Sequence, residues 1–187
     1  MSGVFTFDEA EHEYRLDGKR LPSVTQILKP LAPDFSAIPP AILERKRALG
    51  TAVHLACELD DNGELDEASL DEEVAGYLAG WRKFKAALRV EVLLNELRLY
   101  HPRLGYAGTL DRLVRTKADP WLLDLKTAAE PSPVYGPQLA AYQELLIASD
   151  MLMLPASDGP IRRASLHLDS EGNYSLHEFR NTNDWPA

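Results

Sequence analysis

The chain has 187 residues, with 29 acidic against 20 basic side chains and a formal net charge of −9. A single cysteine excludes an intrachain disulfide framework and a four-cysteine iron–sulfur cluster. No apolar run reaches the roughly 20 residues of a membrane span, and no basic-then-apolar leader opens the chain, so one cytoplasmic domain over residues 1–187 is expected.

In chain order, Val4–Phe7 and Glu13–Leu16 read as strands, with Asp17-Gly18 as a hairpin turn. Ser23 can cap a short helix that runs through Leu28. Residues 29–39 are proline-rich (Pro30, Pro33, Pro39) and predict a loop. Helices are predicted over 40–60 and 68–88. Val74, Tyr77, Leu78, Trp81 and Phe84 lie at helical spacing in the second, as a core stripe. Strands are predicted at 90–100, 106–115 and 120–127, and a helix at 135–149. After a Met-Leu-Pro connection comes a hairpin of Arg163–Leu168 and Tyr174–Phe179 around Ser170–Asn173.

Two apolar strands carry the chemistry. Gly108-Thr109-Leu110-Asp111 ends one carboxylate's run, and Trp121-Leu122-Leu123-Asp124-Leu125-Lys126-Thr127 places a second two residues before a lysine. Lys117-Ala118-Asp119-Pro120 reads as a turn, so the runs should pair as antiparallel neighbours. Side chains alternate along a strand, which puts Asp124 and Lys126 on one face with Asp111 alongside. Converging carboxylates are costly to bury without a counter-ion, and hard divalent cations take such oxygens. The pattern reads as a metal-dependent phosphodiester-cleaving site. An Asp-x-Lys pair also arises by chance on a solvated strand, so its company matters.

That company is helical. Arg47, Thr51, His54 and Glu58 form one stripe on the helix beginning near Pro40, with Cys57 beside it as small packing material. A neutral imidazole can complete a metal shell, although a lone histidine more often satisfies a hydrogen bond at a core boundary. Downstream, Gln138 and Tyr142 share a helix face, where an amide and a phenol can bind phosphate oxygens or a metal-bound water. Half-buried packing is the plainer account of that tyrosine.

Taken in order, Gly50-Thr51-x-x-His54-x-x-x-Glu58, Gly108-Thr109-Leu110-Asp111, Asp124-Leu125-Lys126-Thr127 and Gln138-x-x-x-Tyr142 resemble the PD-(D/E)XK nuclease superfamily, in its RecB-type and phage-exonuclease-like branch. The likeness covers about residues 40–150. Leu21–Leu28 is similar to an opening segment of phage-type members, and Leu110 stands where the superfamily's name has proline. The resemblance implies an α/β fold, a restriction-endonuclease-like αβββαβ core with a central mixed sheet flanked by helices, plus an N-terminal β-hairpin. Residues 1–38 would be the hairpin and short helix, 39–180 the nuclease core and 181–187 a frayed tail.

The resemblance also implies roles. Asp111, Asp124, His54 and the backbone carbonyl of Leu125 would hold Mg²⁺ or Mn²⁺, with Glu58 as a further candidate. Lys126 would position or help deprotonate the attacking water and offset charge. Gln138 and Tyr142 would steady the substrate or the lysine, with Arg47, Thr51 and Thr127 binding substrate. Glu96 is a candidate second-metal or supporting residue, although an exposed glutamate on a sheet edge is the plainer reading.

The expected function is a metal-dependent DNA exonuclease on linear DNA, acting in recombination, repair or phage genome processing, with a recombination partner protein or a homo-oligomer. A catalytically idle binding module on the same fold and a structure-specific endonuclease are the alternatives. The charge distribution bears on this. Residues Glu58 to Glu73 contain nine acidic and no basic side chains, leaving 20 acidic against 20 basic elsewhere. That segment reads as a surface that repels DNA from the wrong face or mimics it for a partner. Basic groups at Arg45-Lys46-Arg47, Arg82-Lys83 with Lys85 and Arg89, and Arg162-Arg163 read as a substrate path or as solvated helix faces.

Overall fold

A computed structural model describes residues 3–117, 119–149, 159–181 and 183–184. Its first unit is a three-stranded antiparallel sheet of β1 (Phe5–Asp8), β2 (Glu13–Leu16) and β3 (Lys19–Leu21). Asp17 and Gly18, at φ of 50° and 77°, make the tight turn and join β2 to β3. The third strand was not legible because Lys19 and Arg20 are polar and exposed.

Helix α1 (Val24–Ile27) starts in a capping box, with Ser23 Oγ accepting from Gln26 N and Gln26 Oε1 from Ser23 N, both at 3.1 Å. Helix α2 (Pro40–Asn62) begins with proline in its first turn, where the missing N–H has no helical partner anyway. It ends at left-handed Gly63. Helix α3 (Glu72–Leu88) begins later than its apolar pattern implies. Asp71 caps it through Glu73 N at 2.7 Å, and Glu67–Ser69 form a separate 3₁₀ turn.

Strands β4 (Glu91–Tyr100), β5 (Ala107–Arg115), β6 (Pro120–Lys126), β7 (Arg162–Leu168) and β8 (Tyr174–Phe179) form one mixed sheet in that order. Every neighbouring pair is antiparallel except β6 and β7. A parallel pair needs a crossover, and α4 (Tyr135–Ala148) lies in it. The α/β class, the mixed central sheet and the N-terminal hairpin sheet are as expected. The Met-Leu-Pro connection falls outside the described residues.

Alternation along β6 divides the core in two. Trp121, Leu123 and Leu125 pack with Val53 and Cys57 of α2 and with Leu78, Trp81 and Phe84 of α3. Leu122 packs on the opposite face with Leu139, Leu145 and Leu146 of α4. Each fully buried large side chain contributes on the order of 2 kcal/mol, so these two layers hold α2 and α4 against opposite faces of β6. Helix α3 also lies tight on the β7–β8 turn: a Cβ at Gly76 would meet Ser170 O at 1.9 Å, so only glycine permits that approach.

Part of the acidic segment is tied into the fold. Asp61 accepts hydrogen bonds from Arg112 Nε at 3.0 Å, Trp81 Nε1 at 2.8 Å and Lys85 Nζ at 2.6 Å, while Asp60 takes Arg82 and Lys85. Arg82 also pairs with Glu67. Arg82 and Lys85 are therefore spent on α2 and do not line a substrate path, while Glu64, Asp66, Asp71 and Glu72 of the acidic segment stay exposed. Arg162 likewise pairs with Asp119 and Glu178, and buried Arg163 donates to Gly136 O and Asn181 O. Asn181 and Asp184 of the segment expected to fray are therefore held by Arg163; 182 and 185–187 lie outside the described residues. Among those residues no helix is long and apolar enough to cross a membrane.

Candidate active site

The β5–β6 ladder supplies the frame. Its paired register runs from Arg115–Pro120 to Arg112–Leu123 and stops one residue short of Asp111 and Asp124. Beyond that point the N–H of Leu125 donates to Asp111 Oδ2 at 2.9 Å instead of to a backbone carbonyl. The two aspartates thus stand where the ladder ends, both buried at 8% and 2% exposure. Lys126 Nζ lies 2.5 Å from Asp124 Oδ2, and 4.7 Å above the Tyr135 ring at the start of α4.

From the other face, α2 brings His54 to the same point. Its Nε2 is 3.0 Å from Leu125 O, and its Nδ1 is 3.4 Å from Asp111 Oδ2 and 3.5 Å from Glu96 Oε1. Both ring nitrogens face acceptors, an arrangement that a neutral imidazole cannot satisfy because one of its nitrogens is itself an acceptor. A second proton on the ring satisfies these oxygens, and a metal ion bound at the ring would do so in its place. Burial opposes the charged ring, but the carboxylates of Asp111, Glu96 and Asp124 prevail and hold its pKa up to about 9.

Glu96 corrects the sequence reading. It lies on edge strand β4, yet its side chain is only 27% exposed. It falls between the register pairs Asn95–Arg112 and Leu97–Leu110, opposite Asp111, with a left-handed φ of 46° that turns the strand at this residue. His54, Glu96 and Asp111 form a group of potential metal ligands whose donor atoms all lie within 4.8 Å of one another. Glu58, one helical turn past His54, is not in that group. The register shift between Val92 and Leu94 and the positive φ at Glu96 leave no mark on an alternating pattern, so the sequence left Glu96 between a candidate ligand and an exposed edge residue.

The donor set fits a hard divalent cation. Glu96 Oε1 and Asp124 Oδ2 are buried oxygens without a directed hydrogen bond, although Lys126 and His54 lie near them. Burial is the strongest influence on Asp124 and raises its pKa to about 6, although Lys126 pulls it down. Lys126 stays protonated: burial disfavours its charge, but Asp124 and Asp111 raise its pKa.

The remaining expected residues divide into two groups. Gln138 Nε2 donates to Tyr142 OH at 3.2 Å, and the buried Tyr142 ring lies against Gly108, where a Cβ would be 2.7 Å from Tyr142 Cε1. Burial raises the Tyr142 phenol well above its usual range, so it keeps its proton for donation. Thr127 follows β6 beside Gly50 of α2, its Oγ1 3.8 Å from where a Cβ there would stand. Arg47 and Thr51 are exposed on α2, and Arg47 pairs with Glu44 at 3.8 Å. These two are not brought to the carboxylates. Cys57 is buried, its thiol pushed up to about 12 by burial, in keeping with a packing role.

A search of curated proteins finds no match to this chain. The model of the PD-(D/E)XK nuclease superfamily matches residues 26–184, from α1 to beyond β8. That span holds both aspartates, Lys126, His54 and Glu96 on the mixed sheet, and the chain belongs to the PD-(D/E)XK nuclease superfamily, whose members cleave nucleic acid with divalent metals.

Proposed function

We propose that the chain is a metal-dependent DNA exonuclease of the RecB-type branch that hydrolyses phosphodiester bonds with Mg²⁺ or Mn²⁺. The observation that carries the reading is the cluster of His54, Glu96 and Asp111, whose donor atoms all lie within 4.8 Å of one another beside the buried Asp124. Asp111, Asp124, His54 and the Leu125 carbonyl would hold the ion, with Glu96 in the place offered to Glu58. The bound ion would polarise the phosphoryl oxygen and acidify the attacking water.

The protein's own groups supply the rest. Lys126 keeps its charge, so it offsets the negative charge gathering on the phosphorane and aligns water instead of removing its proton. Tyr135 sits beneath that ammonium and restrains it. Tyr142, which accepts from Gln138, offers its hydrogen to a non-bridging phosphate oxygen. The reading takes residues 1–187 as one domain of a cytoplasmic enzyme of recombination, repair or phage genome processing, acting with a partner protein or further copies of itself.

The test is degradation of end-labelled linear and closed-circular DNA, single- and double-stranded, with Mg²⁺, Mn²⁺ or EDTA, beside Asp124→Ala. Metal-dependent loss of linear DNA alone, abolished in the variant, is the expected result. Cutting of closed circles would make it an endonuclease. Binding of metal and DNA without cleavage of any substrate would make it an idle binding module.

A further inference from the structure

A cleft of about 400 Å³ opens beside the ligand cluster toward the N-terminal sheet. Its floor carries Glu96 and Asp111, and its outer wall carries Phe7, His12 and Tyr14. The wall is assembled with care for its planes. Phe7 lies 4.7 Å from Tyr14 and 5.1 Å from an edge-on His12, whose left-handed φ of 48° is a strained conformation for a non-glycine residue. The Arg98 guanidinium lies 4.4 Å over the Phe7 ring. The Tyr14 hydroxyl is tied to Thr109 Oγ1 at 2.7 Å, which fixes the wall to the strand that carries Asp111.

Charge and shape decide what fits there. Arg98 pairs with Glu9 at 3.0 Å, which offsets part of the wall's one arginine charge toward a phosphate. The floor holds carboxylates, which repel a phosphate wherever a cation does not bridge it. The wall instead presents flat aromatic and guanidinium surfaces, which take neutral planar groups by stacking. A phosphodiester at the ligand cluster brings such a group with it, one sugar away. Phe7, His12 and Tyr14 lie ahead of residues 26–184, which the family model matches.

We propose that this cleft is a nucleobase subsite, in which the base beside the scissile phosphate stacks on the Phe7–Arg98 wall next to His12. The proposal rests on the nuclease reading of the Glu96–Asp111 floor. Every base has a stacking face, so the subsite demands a base without choosing its sequence. It places the base while the cluster takes the phosphate, and so fixes which bond is cut relative to the strand.

The experiment compares cleavage of oligonucleotides intact or carrying one abasic residue stepped along the strand, using wild type, Phe7→Ala, Phe7→Trp and His12→Ala. At one register to the cut, the abasic residue is expected to raise KM about tenfold or more. Phe7→Ala imposes the same loss on intact DNA, adds nothing on abasic DNA, and is rescued by Phe7→Trp; His12→Ala gives a smaller loss of the same kind. Equal cleavage of abasic and intact DNA overturns the proposal. So does a Phe7→Ala loss that is the same on both substrates, since that marks a role in folding only. A loss on removing a terminal phosphate that matches the Phe7→Ala loss overturns it too, in favour of a phosphate pocket. Inactivity of the wild type on intact DNA overturns the nuclease reading itself, a result distinct from indifference to the base.

Discussion

Asp111 accepts the backbone N–H of Leu125 at 2.9 Å through the same carboxylate oxygen that stands 3.4 Å from His54 Nδ1. One side chain therefore does two tasks: it closes the sheet where the ladder ends and supplies negative charge to the cation position. The two tasks separate by substitution. Asp111→Asn retains an oxygen that can accept from Leu125 but loses the charge. We expect little change in Tm, a fall in the His54 pKa, and loss of Mn²⁺ binding together with activity on the order of 10³-fold. Melting curves, an NMR titration of His54 and metal titration check the three effects.

Glu96→Gln removes one oxyanion from the group around His54 and leaves β4 free to keep its bulge. The expected result is Mn²⁺ affinity about 10–100-fold weaker, the range seen when a supporting metal-site residue is lost. Glu58→Gln, one turn from His54 and outside the cluster, should change it far less. Calorimetric metal titration of the two variants decides the assignment.

The pH dependence follows from two raised pKa values. His54 is raised to about 9, so its stabilisation of the metal-free fold is complete below its ordinary value of 6.5 and is lost as pH rises through about 9. Asp124 is raised to about 6, so its contribution is present below 3.8 and lost as pH climbs through about 6. Metal-free protein should thus lose stability in two steps between about pH 4 and 9, and His54→Asn should abolish the upper one. Because a bound ion takes the place of the His54 proton, metal affinity should rise as pH approaches 9. Denaturant melts with EDTA across pH, and metal titrations in buffers of different ionisation enthalpy, measure both.

Gly108→Ala would place a Cβ 2.7 Å from Tyr142 Cε1 and 3.2 Å from Val24 Cγ2. Neither a buried ring nor a core valine can yield without moving α4 or α1, so the cost should be about 1–3 kcal/mol. Tyr142 also faces the site, so activity should fall by more than stability alone explains. Chemical denaturation, with activity assayed at a temperature where the variant is fully folded, separates the two.

Asp61 and Arg112 are a buried ion pair at 3.0 Å, with side chains 1% and 0% exposed. Asp61→Asn leaves the guanidinium without its counter-charge and should cost about 3–5 kcal/mol. A double-mutant cycle with Arg112→Leu measures the coupling. Little loss in the single variant would show that the pair does not hold α2 to β5.

Local pattern in the chain marked most of the elements, β3 excepted, and the order of the motifs. Apolar runs ended by turn residues marked β5 and β6, and helical spacing marked α2, α3 and α4. The pair Asp124 and Lys126 was legible because strand alternation puts residues two apart on one face. Only the tertiary structure decided which groups meet. Glu96 reads as an edge residue until the register shift between Val92 and Leu94 sets it opposite Asp111, with a positive φ of its own. Arg82, Lys85 and the acidic residues of α2 read as separate charge blocks until helix packing pairs them. Phe7 and Arg98 are 91 residues apart in sequence and 4.4 Å apart in space. Periodicity is a local property of the chain, whereas a cation site and a stacking wall depend on the distances between elements, which only packing sets.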